Sequence, residues 1–238
     1  MRVLLVLPAY NEAAAIKGTV QTILDTSFSK GLDVDYIVIN DGSTDETERL
    51  CRESGIKCLS LVKNLGIGGA VQTGYLYAAL NGYDIAVQFD GDGQHDIHSL
   101  EALIAPILED RCDFVVGSRF LENSSAFRST WLRRAGIHYL SFVLRLVTSQ
   151  RIADVTSGYR AANRRALLYL AENYPVDYPE PESLVHLYKQ RLRIGEVSVN
   201  MFERTAGKSS IHGLRSVYYM IKVTLAVLFA AMGKGELK

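Results

Sequence analysis

Five short apolar runs, at residues 2–7, 35–40, 57–62, 84–89 and 113–117, alternate with helix-like stretches at about 12–28, 44–54, 67–81 and 96–109. Strands that stay apolar without alternation suit burial on both faces. Their alternation with helices predicts an α/β fold, a mostly parallel sheet with helices on both faces.

In an open parallel sheet, ligands bind beyond the carboxyl ends of the strands, near the point where strand order reverses. The chemistry-bearing residues gather at those ends. The first run leads into Pro8-Ala9-Tyr10-Asn11-Glu12, the second into Asn40-Asp41-Gly42-Ser43-Thr44-Asp45, and the fourth into Asp90-Gly91-Asp92-Gly93-Gln94-His95. Two carboxylates flanking a glycine, Asp90 and Asp92, can approach one hard cation while the chain turns. A β-turn with a helix N-cap explains the same residues locally. A calcium loop would place His95 where glycine is required, and is set aside. Ser43 and Glu46 match a capping box, and Asp41, just before it, is placed to accept from a ribose hydroxyl or a base N–H. The glycine-rich stretch from Asn64 through Gly68 precedes a helix, where backbone N–H groups meet anions; close helix–sheet packing alone explains the glycines and is the reading slightly preferred. It has neither the GxGxxG nor the P-loop pattern.

The 238 residues suit one medium domain with a C-terminal extension. Lys+Arg and Asp+Glu both number 26, which argues against a general nucleic-acid binder. Cys51, Cys58 and Cys112 show neither zinc-ribbon nor disulfide-framework spacing and suit a reducing cytoplasm. The N-terminal run reads as a strand rather than a signal peptide. The second half predicts a long Arg-containing helix at 128–150, a polar turn at 152–160, helices at 162–173 and 181–193, a strand at 196–203, a Gly/Ser loop at 206–213 and an apolar helix at 214–232.

Taken together with Val116-Gly117-Ser118-Arg119, Asp154-Val155-Thr156-Ser157-Gly158-Tyr159-Arg160 and Glu203-Arg204-Thr205-Ala206-Gly207-Lys208-Ser209-Ser210, these motifs resemble family 2 glycosyltransferases. Their order and spacing match the dolichyl/polyprenyl-phosphate sugar synthase branch over residues 3 to about 212. The resemblance implies a GT-A (Rossmann-like) catalytic domain at 1–212, with a donor half to about 119 and an acceptor half beyond. It also implies inverting transfer from a UDP- or GDP-linked sugar, with Mg²⁺ or Mn²⁺ as cofactor. By the same resemblance Pro8, Tyr10, Glu12 and Asp41 hold the nucleoside. Asn64 and Gly68 fall in the matched glycine-rich segment of the donor site. Asp90, Asp92 and Gln94 sit at metal and diphosphate, and Arg119, Ser157, Arg204 and Lys208 match phosphate-associated positions.

A lipid phosphate acceptor attacks without losing a proton, whereas a sugar hydroxyl needs a base. Asp154 is the first candidate for a base or an acceptor-orienting group. Glu180, bracketed by prolines, is either a base or an acidic helix start. The leading expectation is transfer to polyprenyl phosphate; the alternative acceptor is a sugar hydroxyl on a lipid-linked or polysaccharide chain. A sugar-nucleotide pyrophosphorylase and a non-catalytic nucleotide-sugar binder rank below both.

The apolar run from Val217 to Met232 is too short for a ~30 Å hydrocarbon core at 1.5 Å per residue. With Arg215, Lys222, Tyr218 and Tyr219, and with Trp131 among Arg133, Arg134 and Arg145, it suits an interfacial helix. The expected location is peripheral, on the cytoplasmic face of a membrane. Packing of this helix on the core or in a homo-oligomer is the competing reading, and a small integral-membrane partner stays open.

Overall fold

The computed structural model describes residues 1–121, 131–202 and 214–233. Its strands are β1 (Arg2–Ala9), β2 (Asp33–Asn40), β3 (Cys58–Ser60), β4 (Ile85–Gln88), β5 (Phe114–Ser118), β6 (Arg160–Asn163) and β7 (Ile194–Ser198). They form one sheet in the order β3-β2-β1-β4-β6-β5-β7. All run parallel except β6, which is antiparallel to both β4 and β5. The expected mostly parallel α/β sheet is the one found.

The absence of alternation in the strands has a direct cause. Successive side chains of a strand point to opposite faces, and both faces here carry helices. Leu4, Val6, Ile37 and Ile39 meet residues of α3 (Gly66–Leu80), α5 (Trp131–Thr148), α6 (Arg164–Asn173), α7 (Pro179–Lys189) and α8 (Leu214–Met232). Val3, Leu5, Leu7 and Val38 meet α1 (Ile16–Asp25), α2 (Thr47–Glu53) and α4 (Leu100–Leu108). Every residue of β1 after Arg2 is buried, so a polar substitution in Leu4 to Leu7 has no water-facing side to occupy.

Two local expectations need correction. The polar turn and the helix expected from 162 conceal β6. Its sequence, Arg-Ala-Ala-Asn, has no β-branched or aromatic residue, and it is a strand because β4 and β5 pair with it on both edges. The Ser43–Glu46 capping box does not form either. Helix α2 starts at Thr47, whose N–H donates to Asp45 Oδ1 at 2.9 Å, while Ser43 Oγ accepts from the Asn11 N–H at 3.0 Å. Asp45, two residues after Ser43, meets the first N–H of the helix instead, while the Ser43 hydroxyl is engaged by Asn11.

The C-terminal helix packs on protein with one side. Val223 and Val227 of α8 are buried in the core, and Thr224 Oγ1 lies 3.4 Å from the Tyr139 hydroxyl of α5. The remaining side is exposed: Tyr218, Ile221, Leu225, Leu228, Phe229 and Met232 on α8, beside Tyr139, Phe142 and Leu146 on α5. Among the described residues, no helix is long and apolar enough to cross a membrane.

Candidate active site

Strand order reverses between β2 and β4 around β1, and there the carboxyl ends of three parallel strands open onto a cleft of about 890 Å³. The segments that line it are 8–14 after β1, Asp41 and Asp45 after β2, the start of α3, and Asp90 to Asp92 after β4. Of the expected donor-site residues, Pro8, Tyr10, Glu12, Asp41, Asn64, Asp90 and Asp92 all face this space.

The walls are tied to each other. Asn11, at φ 57°, turns the chain out of β1 and accepts the Thr44 N–H on its Oδ1 at 2.8 Å. The Glu12 N–H reaches Thr47 Oγ1 at 2.9 Å, and the Ala13 N–H reaches Asp45 Oδ2 at 3.2 Å. One loop therefore cannot move without the other. Next to Asp41, Gly42 sits at φ +65° with the Asn64 nitrogen only 2.7 Å from where a Cβ would stand, so a side chain there is excluded twice.

Asp41 is buried, and its Oδ1 accepts the Leu65 N–H at 2.7 Å. The positive end of α3 is thus already met by one carboxylate. Burial raises the Asp41 pKa, and the N–H groups of Leu65 and Gly66 offset part of that rise. Gly68, by contrast, does not line the cleft. A Cβ on it would stand 2.4 Å from the carbonyl oxygens of Pro175 and Val176, so this glycine serves the packing of α3.

Asp90 and Asp92 leave β4 on a tight turn. Asp92 Oδ1 accepts the Gln94 N–H at 3.0 Å, and the Gln94 carbonyl accepts from the Phe202 N–H at 2.8 Å. His95 Nδ1 accepts the Asp90 N–H at 3.0 Å, and its ring stacks on Tyr159 with centroids 4.6 Å apart. Burial drives the His95 pKa down to about 4, with the charge of Asp92 pulling the other way. The imidazole is neutral at pH 7 and its Nδ1 is occupied, so His95 braces the turn from behind. The oxygens of Asp90 and Asp92 are hard donors in an open cleft, which fits Mg²⁺ or Mn²⁺ sharing its coordination with a diphosphate. Among the described residues no cluster of three or more His, Cys, Asp or Glu forms a ready metal cage.

The expected acceptor-side residues form a different kind of structure. Asp154, with no exposed surface, takes Arg119 Nε at 2.6 Å and Nη2 at 2.7 Å in a two-point ion pair. Glu196 of β7 grips the same loop, accepting the N–H groups of Ala153 and Asp154 at 2.8 Å each. Ser157 is fully buried and its Oγ accepts the Tyr159 N–H at 3.3 Å. Arg160, the bulkiest fully buried side chain, sends Nε to the Ser157 carbonyl, Nη2 to the Val155 carbonyl and Nη1 to the Glu180 carbonyl and Ser183 Oγ. Glu180 lies in the first turn of α7, which begins at Pro179, so the acidic helix start is realised. Its carboxyl is pushed up by burial, with Arg160 opposing and Asp90 adding to the rise. Arg204 and Lys208 lie outside the described residues.

Five residues were not singled out individually in the sequence: Asn11, Asp45, Arg160 and Glu196 of this framework, and Gln88, which ends β4 with its Nε2 3.3 Å from Asp90 Oδ1. Gln88 carried a signal, being the polar member of an otherwise apolar run. Arg160 stood in the matched motif from Asp154 without an assigned role, and Glu196 carried only its charge at the start of an expected strand.

A sequence profile described as Glycosyl transferase family 2 matches residues 4–170. The chain is 30% identical over 245 residues to UDP-N-acetylglucosamine–dolichyl-phosphate N-acetylglucosaminyltransferase of Methanococcus voltae, covering 93% of this chain and 95% of that one. It is 27% identical to undecaprenyl-phosphate mannosyltransferase of Micrococcus luteus, covering 90% and 88%. Among solved structures, glucosyl-3-phosphoglycerate synthase from Mycobacterium tuberculosis, in complex with Mn²⁺, UDP-glucose and phosphoglyceric acid, superposes with a TM-score of 0.72 at 24% identity. That match covers 99% of this chain and 81% of the other, and shows the fold. With a match over residues 4–170 that reaches six of the seven strands, both cleft walls and the Arg119–Arg160 loop system, the chain belongs to glycosyl transferase family 2.

Proposed function

We propose that this glycosyltransferase moves one sugar, with inversion, from a UDP- or GDP-linked donor to a polyprenyl phosphate. The observation that carries the reading is the convergence of Tyr10, Glu12, Asp41, Asp90 and Asp92 on one cleft at the switch point of the sheet. The relatives that match nearly the whole chain are named for sugar transfer to dolichyl or undecaprenyl phosphate, which supports the acceptor class.

In this reading the nucleoside lies between Pro8, Tyr10 and Glu12, with Asp41 accepting from it, and the diphosphate lies along the start of α3 towards Asp90 and Asp92. Asp90 and Asp92, with Gln94 nearby, would hold Mg²⁺ or Mn²⁺, which would supply positive charge against the leaving diphosphate. An acceptor phosphate oxygen forms its bond to the anomeric carbon from the opposite face while the bond to the donor diphosphate breaks. That oxygen is already anionic, so no base has to take a proton. This agrees with the state of the acceptor-side carboxylates: both Asp154 oxygens are committed to Arg119, which makes Asp154 an orienting group. Arg119 and Ser157, with Arg204 and Lys208, remain the groups assigned to phosphate. Glu180, half-buried and held up in pKa, is the carboxyl assigned to the alternative of a hydroxyl acceptor.

The exposed apolar face of α5 and α8, with Arg145 and Lys222 at the surface beside it, is assigned to the bilayer interface on the cytoplasmic face, where a polyprenyl acceptor resides. Incubation with radiolabelled UDP- and GDP-sugars, short polyprenyl phosphate and Mn²⁺ or Mg²⁺ tests the reading. The expected product is a labelled lipid whose sugar is released by mild acid. A label that is stable to mild acid, or that appears only on an added saccharide, overturns the lipid-phosphate acceptor.

A further inference from the structure

We propose that Gln88 and Tyr174 form a buried relay that sets the orientation of the Asp90 carboxylate in the donor site. The inference rests on the reading of Asp90 as a metal and diphosphate contact.

Gln88 ends β4 and is 1% exposed. Its Nε2 donates to Asp90 Oδ1 at 3.3 Å, and its Oε1 accepts from the Tyr174 hydroxyl at 3.3 Å. The chemistry of the three groups fixes the direction of this chain. A carboxylate only accepts, so the amide must present nitrogen to Asp90 and keep oxygen for Tyr174, whose hydroxyl then donates. Asp90 fixes which end of the amide faces it, and the Tyr174 hydroxyl supplies the donor for the buried amide oxygen at the other end.

The surroundings of the relay are tightly packed. Tyr174 follows α6 and is buried, with the Tyr75 ring edge-on at 5.3 Å and 88°. On the opposite side, a Cβ at Gly158 would lie 2.9 Å from both Asp90 Oδ2 and Gln88 Nε2, so even a methyl group would push the pair apart. His95 holds the Asp90 backbone N–H. The two relay bonds are long and contribute little to folding. Their consequence is directional: a ligand to a hard cation is more effective when a partner behind it fixes its plane. Gln88 and Tyr174 are positioning residues, separated by 86 positions in sequence and invisible as a pair there.

The test is calorimetric titration of the full chain with UDP and, separately, GDP, with and without Mn²⁺. The wild type is expected to bind one of them more tightly when Mn²⁺ is present. Gln88→Leu reduces that Mn²⁺-dependent gain by about tenfold, and Tyr174→Phe reduces it in the same direction by less. Metal-free nucleotide affinity and the thermal midpoint stay near wild type in both. Tyr75→Phe, which removes a buried hydroxyl with no hydrogen-bond partner among the described residues, behaves as wild type. A full Mn²⁺-dependent gain in Gln88→Leu overturns the relay while leaving the donor site standing. So does an equal loss with and without metal, which marks a merely structural role. No Mn²⁺-dependent gain in the wild type with either nucleotide overturns the metal reading of Asp90 and the relay with it.

Discussion

The two halves of this enzyme use carboxylates in opposite ways. In the half proposed to hold the donor, Asp41, Asp90 and Asp92 stand at strand ends and line an open cleft. In the half proposed to meet the acceptor, Asp154 and Glu196 are turned inwards, one gripping Arg119 and the other gripping backbone N–H groups. A carboxylate beyond a parallel strand is presented to ligand by the sheet itself. One within a long loop must first hold that loop, and the loop then carries other groups to the substrate.

That contrast predicts which substitutions unfold the protein and which only silence it. Asp154→Ala should have the largest effect, about 3–5 kcal/mol of lost stability, because it strands a buried guanidinium. Urea unfolding reads this directly, and the Arg119→Leu/Asp154→Leu double variant should recover part of the loss. Wild-type stability in Asp154→Ala would erase the distinction between the halves. Asp92→Asn should do the reverse, leaving unfolding near wild type while transfer falls about 100-fold, or ~2.7 kcal/mol in barrier.

The opposite end of β5 sharpens the comparison. Asp113, just before Phe114, takes the Arg193 guanidinium, the Arg193 N–H and the Asn163 amide. Burial alone would raise its pKa, but the hydrogen bonds from Arg193 and Asn163 outweigh this and hold it at about 2. The folded pKa lies below the unfolded value of about 3.9. Its contribution is therefore complete above about pH 4 and is lost as pH falls through about 2. Asp113→Asn should cost about 2 kcal/mol near neutral pH. The cost is smaller than at Asp154 because Arg193 is half-exposed and water replaces its partner. Stability measured from pH 7 down to 2 should show the deficit shrinking at the acid end. Smaller still is the effect on α8: Ile221→Ser with Phe229→Ser should weaken sedimentation with anionic vesicles by roughly tenfold, about 1–2 kcal/mol. Donor binding in solution should be unchanged. Unaltered vesicle binding would remove the membrane from the account.

The same contrast explains what the sequence made legible. Residues at the ends of apolar runs are ordered by the sheet, so Tyr10, Asp41, Asp90 and Asp92 can be placed at one edge of a parallel sheet from the spacing of those runs. The direction of the Asp154 carboxylate cannot be read that way, since it depends on Arg119, just after β5, and Glu196 of β7 meeting in space. Strand β6 is hidden for a related reason: its pairing partners make it a strand, whereas its own residues do not. Gly68 shows the limit within the donor half, because a glycine before a helix looks alike whether it faces an anion or the carbonyls of Pro175 and Val176.

The central claim is that the cleft at the ends of β1, β2 and β4 holds the donor. A crystal structure with Mn²⁺ and the nucleoside diphosphate that binds tests it most directly. The account predicts an anomalous Mn²⁺ peak within roughly 2.5 Å of an Asp90 or Asp92 carboxylate oxygen, with the nucleoside between Tyr10, Glu12 and Asp41. A nucleotide bound elsewhere, or a metal that contacts neither aspartate, would contradict it.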